Sequence, residues 1–466
     1  AWLFPDALYH ALSVESGGRH QRDWPVRNEA CSGRDLYQHT PEKDVACAAR
    51  QASLLAHHRL FMERYRLGQY IVHRQHAGLR QRARELGLRL YGDLQVGLSP
   101  CDLWSRGSIY LPNYYMGAPP SRTNPEGQPW SYGVLDPDQY HDDDGRPGPV
   151  LNFMAARINK MMTEFDGLRV DHPHGLVCPW VYKVDDPDPL HAVQHGARLF
   201  SSPDLSDHPQ LAHYAIVRSE QLNKQLSRHD DHWVSTMDPS QIDRFAILLD
   251  YLVEAVMAHG GSVNDVLCEI LSTQPHELQQ VIQRHGLNRF RVTQKADLDN
   301  PEDVYRSENA RPEDWIMVGN HDTQPIWRLA RQWERTGENL RQAEYLARRL
   351  QPDGNIGPLV QELAGNRCKL VHAKFADLFI GPARHVMIFF ADLLGLEEVY
   401  NAPGTINDEN WSLRVPPDYA RNYADACSSG SALDLSRVLA LALKQRGAEF
   451  SRAHAGLIAR LERSGR

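Results

Sequence analysis

Residues 166–175 read Asp-Gly-Leu-Arg-Val-Asp-His-Pro-His-Gly. Leu168 and Val170 make a short apolar strand that delivers Arg169, Asp171 and His172 to one end. Arg169 lies two residues before Asp171, on the same face of a strand, where its charge favours the ionised carboxylate. An ionised, oriented carboxylate is a nucleophile candidate. Glu269 follows the apolar Val266, Leu267 and Cys268, and Asp322 follows Gly319, Asn320 and His321, so two further acids end predicted strands. The apolar run before Glu269 is expected to desolvate it and raise its pKa toward that of a general acid. Retaining cleavage of a glycosidic bond needs one carboxylate to attack the anomeric carbon and one carboxyl to protonate the leaving oxygen. A third, ionised Asp can grip sugar hydroxyls as the ring distorts. His172 and His321, each beside an Asp, read as hydroxyl donors in the same subsite. Any one of these acids alone is better read as an ordinary strand-end ion pair; the three together carry the chemistry.

The chain that must position them has 466 residues, enough for one large catalytic domain with subdomains. Its formal charge is -8, and no Lys/Arg block is long enough to track a phosphate backbone, so nucleic acid is not an expected partner. Seven cysteines are scattered without a Cys-x-x-Cys pair, which argues against a disulfide framework or a zinc site and for a reducing, cytoplasmic location. No apolar run of transmembrane length and no signal-peptide pattern is visible, so no membrane partner is expected; the absent initial Met reads as trimming. The 229–232 run His-Asp-Asp-His lacks helical His spacing, and Asp142-Asp143-Asp144-Gly145 lacks the alternating acids of a calcium loop. Neither metal nor cofactor is expected.

Residues 1–85 form an N-terminal helical and irregular segment, with two helices between Ala46 and Leu86 that have Gly68 and Gly78 as weak points. Residues 86–430 form the catalytic region and 431–466 a C-terminal helical segment interrupted near Gly447. Strands are predicted at 88–94, around 168–171, at 262–271, 288–293, 314–319 and 385–394. Residues 95–148 read as one long loop rich in Pro, Gly and aromatics, and 176–250 as an inserted lid. Strands separated by helices, with acids at their carboxyl ends, predict an α/β fold of the (β/α)8 TIM-barrel type with inserted helical subdomains. Only six strands can be read, so the barrel is expected to be incomplete or unusually completed. Either two strands hide in 1–48 or the chain lacks a beginning, and an uncovered edge invites association.

Over residues 50–175 and 262–415 the sequence resembles glycoside hydrolase family 77, the 4-α-glucanotransferases. Gly92-Asp93-Leu94 with Asp102-Leu103-Trp104, Gly117-Ala118-Pro119-Pro120 and Gly127-Gln128-Pro129-Trp130 match that family's strand and loop motifs. Further along, Arg169-Val170-Asp171-His172, Glu269, Gly319-Asn320-His321-Asp322, Asp392-Leu393-Leu394-Gly395, Asn401-Ala402-Pro403-Gly404 and Asn410-Trp411 match in order. The resemblance implies Asp171 as nucleophile, Glu269 as acid/base and Asp322 as stabiliser. It implies sugar contacts from Asp93, Gln128, Trp130, Arg169, His172, His321, Asn401 and Pro403, with malto-oligosaccharides or other α-glucans as substrates. Pro173-His174 stands where the family has Phe-Arg, Ser121 where it has Asp, and Glu269 lacks the Asp that follows it there. These departures leave two other readings beside the transferase: a plain α-glucan hydrolase, and a degenerate glucan-binding or partner subunit. Trp104 and Trp130 read equally as core aromatics or as sugar-stacking platforms.

Overall fold

The computed structural model describes residues 2–25, 31–38, 43–122, 124–287, 289–352, 354–405 and 407–464. They divide into two units, Ala1–Glu269 with Thr273–Leu287, and Ile270–Ser272 with Asn288–Arg466. The fold is mixed α/β, and each of the six stretches read as strands contains one.

The strands of the first unit are β1 (Tyr91–Gln95), β2 (Tyr110–Ala118), β3 (Gln128–Leu135), β4 (Gly167–Asp171), β5 (Trp180–Lys183), β6 (Ala197–Arg198) and β7 (Val266–Cys268). Its helices are α1 (Leu3–Glu15), α2 (Asp44–His57), α3 (Arg59–Glu85), α4 (Pro100–Ser105), α5 (Pro149–Glu164), α6 (His174–Val177), α7 (Pro189–Gln194), α8 (Pro239–Ala258) and α9 (His276–Arg284). A parallel sheet runs β1-β4-β7, with Asp93 opposite Arg169, Gln95 opposite Asp171 and Val170 opposite Cys268. Leu168 and Val170 are fully buried, as a central parallel strand covered on both faces requires. Close backbone approach demands glycine here, because a Cβ on Gly92 would stand 2.4 Å from the Phe165 ring and one on Gly167 2.3 Å from that of Tyr91. Asp166 precedes β4 and fastens its start to α3. Burial opposes its charge, but the Leu90 N–H and the guanidinium groups of Arg80 and Arg84, both at 2.8 Å, hold it down at about 2.

The stretch expected to be one long loop contains α4, β2 and β3. With β5 and β6 it builds an antiparallel sheet in the order β3-β2-β5-β6. Its strands escape a periodicity reading because β2 and β3 pair with irregular register, carry Pro112, Pro129, Gly117 and Gly133, and bury aromatics without clean alternation. β5 and β6 belong to 176–250, and the buried Arg198 contacts Glu277 of α9 at 3.1 Å. α8 starts on a reciprocal cap, with Asp238 Oδ1 accepting from Gln241 N–H and Gln241 Oε1 accepting from Asp238 N–H. α3 runs through Gly68 and Gly78 without a break, and the division between the two expected helices falls at His58. Cys31 and Cys47 form a disulfide, S–S 2.06 Å, which corrects the expectation of unpaired cysteines; the other five are free.

The second unit contains β8 (Phe290–Val292), β9 (Trp315–Met317) and β10 (His385–Val386), parallel in the order β10-β9-β8. The strand expected from residue 288 starts at a position outside the described residues. The strand expected over 385–394 ends at Val386, and its second half is a helix. Its helices are α10 (Ile326–Thr336), α11 (Glu338–Leu350), α12 (Gly357–Ala364), α13 (Arg367–Ile380), α14 (Phe390–Leu394), α15 (Tyr419–Ser429), α16 (Leu435–Gln445), α17 (Ala448–Ala453) and α18 (Ala455–Ser464). α10 buries Ile326, Trp327, Ala330 and Trp333, a helical stripe that joins Leu346, Phe375 and Val438 in the core of this unit. Among the described residues no helix is long and apolar enough to cross a membrane.

Candidate active site

β1, β4 and β7 bring Asp93, Arg169, Asp171 and Glu269 to one end of the first sheet. Arg169 Nη1 lies 2.6 Å from both carboxylate oxygens of Asp93, and Nη2 lies 3.1 Å from Asp171 Oδ1 and 2.7 Å from Glu269 Oε1. One guanidinium therefore serves three carboxylates. Burial works against its charge, but Glu269, Asp93 and Asp171 together outweigh that and raise its pKa. The side chain of Asp93 is 46 % exposed, that of Asp171 35 % and that of Glu269 9 %, so an incoming ligand can reach the two aspartates from solvent. Glu269 is buried as expected, yet its Oε1 also faces the Arg169 guanidinium.

His172 has φ +49°, a left-handed conformation that costs a non-glycine residue energy and marks a constrained site. Its ring meets Trp130 edge-on at 4.8 Å and stacks on His174 at 4.3 Å. Desolvation there lowers its pKa to about 4, which keeps the imidazole neutral near pH 7. Trp130 Nε1 donates to Gln128 Oε1 at 2.9 Å, so Gln128 orients the indole. Trp104, by contrast, is buried with Tyr9, Trp24 and Tyr37 and donates to the Gly33 carbonyl at 2.9 Å; it is a core residue. His174, which stands where the family has Arg, has its Nε2 3.0 Å from the Thr273 carbonyl and links the turn after β4 to the segment after β7.

In the second unit, Asp322 follows β9 in a tight turn. Asn401 Nδ2 donates to its Oδ1 at 2.6 Å, His321 Nε2 lies 3.3 Å from its Oδ2, and its N–H donates to Asn320 Oδ1 at 3.0 Å. The turn is closed by Thr323, whose Oγ accepts from the Asn320 N–H at 2.9 Å. A Cβ at Gly319 would meet this same Oγ at 2.6 Å. Asn401 N–H donates to the His321 carbonyl at 3.1 Å, and Trp411 (φ +64°) places its ring 5.3 Å from that of His321. Pro403 is exposed in the turn that follows Asn401. Trp411 was a missed neighbour, visible in sequence only as part of the Asn410-Trp411 match. Among the described residues no group of three or more His, Cys, Asp or Glu is arranged to hold a metal ion.

The model of the 4-alpha-glucanotransferase family, glycoside hydrolase family 77, matches residues 1–420. The chain belongs to that family. It is 25 % identical over 190 residues to the 4-alpha-glucanotransferase DPE1, chloroplastic/amyloplastic, of Oryza sativa subsp. japonica, a stretch covering 38 % of this chain and 28 % of the rice protein. Against the 4-alpha-glucanotransferase of Haemophilus influenzae the identity is 28 % over 186 residues, covering 38 % of this chain and 24 % of the relative. The matched stretch thus spans about a quarter of each curated relative. An amylomaltase from Streptococcus agalactiae, solved in complex with acarbose, superposes with TM-score 0.61 at 15 % identity, covering 91 % of this chain and 70 % of that one. For an amylomaltase from Corynebacterium glutamicum the TM-score is 0.54 at 18 % identity, with 98 % and 54 % covered. At these identities the structural likeness shows a shared fold.

Proposed function

We propose that this family member transfers α-1,4-glucan segments between malto-oligosaccharides by a retaining double displacement. In this reading Asp171 attacks the anomeric carbon and forms the glycosyl-enzyme. Glu269 protonates the leaving oxygen and then deprotonates the acceptor, and Asp322 stabilises the transition state. Asp93, Gln128, Trp130, Arg169, His172, His321, Asn401 and Pro403 bind sugar. The observation that carries the reading is the Arg169 cluster: one cation directly contacts Asp171 and Glu269 at adjacent strand ends. It sets a candidate nucleophile and a second carboxyl side by side on one cation.

The finer fold we infer is of the (β/α)8 barrel type, with the parallel strands as its members, 1–85 and 431–466 as flanking segments and 176–250 as a lid. For partners we infer malto-oligosaccharides, neither nucleic acid nor membrane, and association through β1, an edge strand of its sheet. The location we infer is cytoplasmic, which five free cysteines support and the Cys31–Cys47 bridge opposes.

One observation favours a second reading, a chain that binds glucan without turnover. Arg169 at 2.7 Å stabilises the ionised Glu269, the form that cannot donate a proton. Incubation with maltotriose separates the readings: a ladder of longer and shorter oligosaccharides supports transfer, glucose and maltose alone indicate hydrolysis, and unchanged substrate indicates binding only.

A further inference from the structure

Asp392 of α14 is 1 % exposed. Its Oδ1 accepts from the N–H of Ile326, the first residue of α10, at 2.7 Å, and its own carbonyl accepts from Trp327 Nε1 at 2.8 Å. Two successive residues in the first turn of α10 are thus tied to one residue of another helix. Its Oδ2 is buried with no hydrogen-bond partner among the described residues. Burial pushes this carboxyl up to about 7, against the pull of the Ile326 N–H. A buried, half-satisfied acid is costly, so its place calls for an explanation.

That place is at the foot of the Asp322 turn. The chain leaves Asp322 through Thr323, Gln324 and Pro325 and enters α10 directly, so the first turn of α10 is the post on which the turn ends. The segment that carries Asp392 also supplies Asn401, the 2.6 Å donor to Asp322. This segment is itself fixed. Gly395 ends α14 with φ +77°, a Cβ there would stand 1.9 Å from the Ser431 carbonyl, and Leu433 N–H donates to the Leu393 carbonyl at 3.1 Å. The Asp322 carboxylate is therefore referenced twice to one rigid segment, through Asn401 at the side chain and through Asp392 at the backbone.

We propose that Asp392 is a positioning residue for the reaction, holding the start of α10 so that Asp322 keeps the place from which its charge acts. The proposal rests on the role given to Asp322 above. An interaction used mainly in the transition state shows in kcat, not in KM. Asp392→Ala is expected to lower kcat on maltotriose about tenfold or more per folded molecule, with KM within about twofold. It should also speed amide hydrogen exchange at Ile326 and Trp327. Asp392→Asn, which keeps the shape and an acceptor oxygen, is expected to stay within about threefold of the parent and to keep that exchange protection, which keeps the test open should the Ala variant fail to fold. In the Asp322→Asn background, Asp392→Ala should add little further loss. Unchanged kcat in Asp392→Ala, additive losses in the double variant, or an Asn variant that unprotects Ile326 would overturn the proposal while leaving the role of Asp322 intact. Full activity of Asp322→Asn would instead remove that role, and the proposal with it.

Discussion

The acids of the two units are held by different means. Asp93, Asp171 and Glu269 surround one guanidinium, which offsets part of their charge, whereas Asp322 meets the amide of Asn401, the ring of His321 and the backbone turn through Asn320. A guanidinium brings a positive charge to the carboxylates around it, whereas an amide donor orients a carboxylate without adding charge. In the proposed division of labour the Arg169 pairing suits the nucleophile and opposes proton donation by Glu269, while Asn401 orients Asp322.

The contrast can be broken most forcefully at Arg169. Arg169→Met leaves three carboxylates without their cation, one of them buried, and is expected to cost about 3–5 kcal/mol of stability, checked by denaturant unfolding, and to abolish measurable transfer. Arg169→Lys should recover stability only in part, because an ammonium cannot span the same fork. On the other side, Asn401→Ala removes one hydrogen bond to the Asp322 carboxylate and should lower kcat roughly 10- to 100-fold, with a smaller loss of stability than Arg169→Met. A smaller effect tests the turn after β4. His172 has its pKa lowered, so it stays neutral above about pH 5. The stability from burying its neutral ring is complete above the unfolded value of about 6.5 and is lost as pH falls toward 4. An NMR titration of the ring should show a midpoint near 4; a midpoint near 6.5 would place the ring in water.

The parallel strands were legible because each joins a short apolar run to a polar end. Val170, Leu267 and Ile316 are apolar enough to be read as buried, and Asp171, Glu269 and Asp322 stand out after them. The antiparallel sheet was not legible, because Pro112, Gly117 and Pro129 read as loop residues until cross-strand pairing accounts for them. Phe390–Leu394 reads as strand because it continues the apolar run from Val386, and a short apolar stretch does not by itself distinguish strand from helix. At the site, residue types predicted that Arg169 would pair with Asp171. They did not predict that it would also bind Asp93 and Glu269, since register between strands is a tertiary property. Trp104 and Trp130 looked alike in sequence and separated only on burial, one in the core and one against His172.

The most direct test of the central claim uses a donor that needs no proton. With α-maltosyl fluoride, Glu269→Gln should carry out the first step, because fluoride leaves unaided, and should then stall for want of a base, leaving a maltosyl ester on the protein. Peptide mass spectrometry should find one maltosyl unit on Asp171. An adduct on Asp93 or Asp322, or full activity of Asp171→Asn with the same donor, would contradict the account.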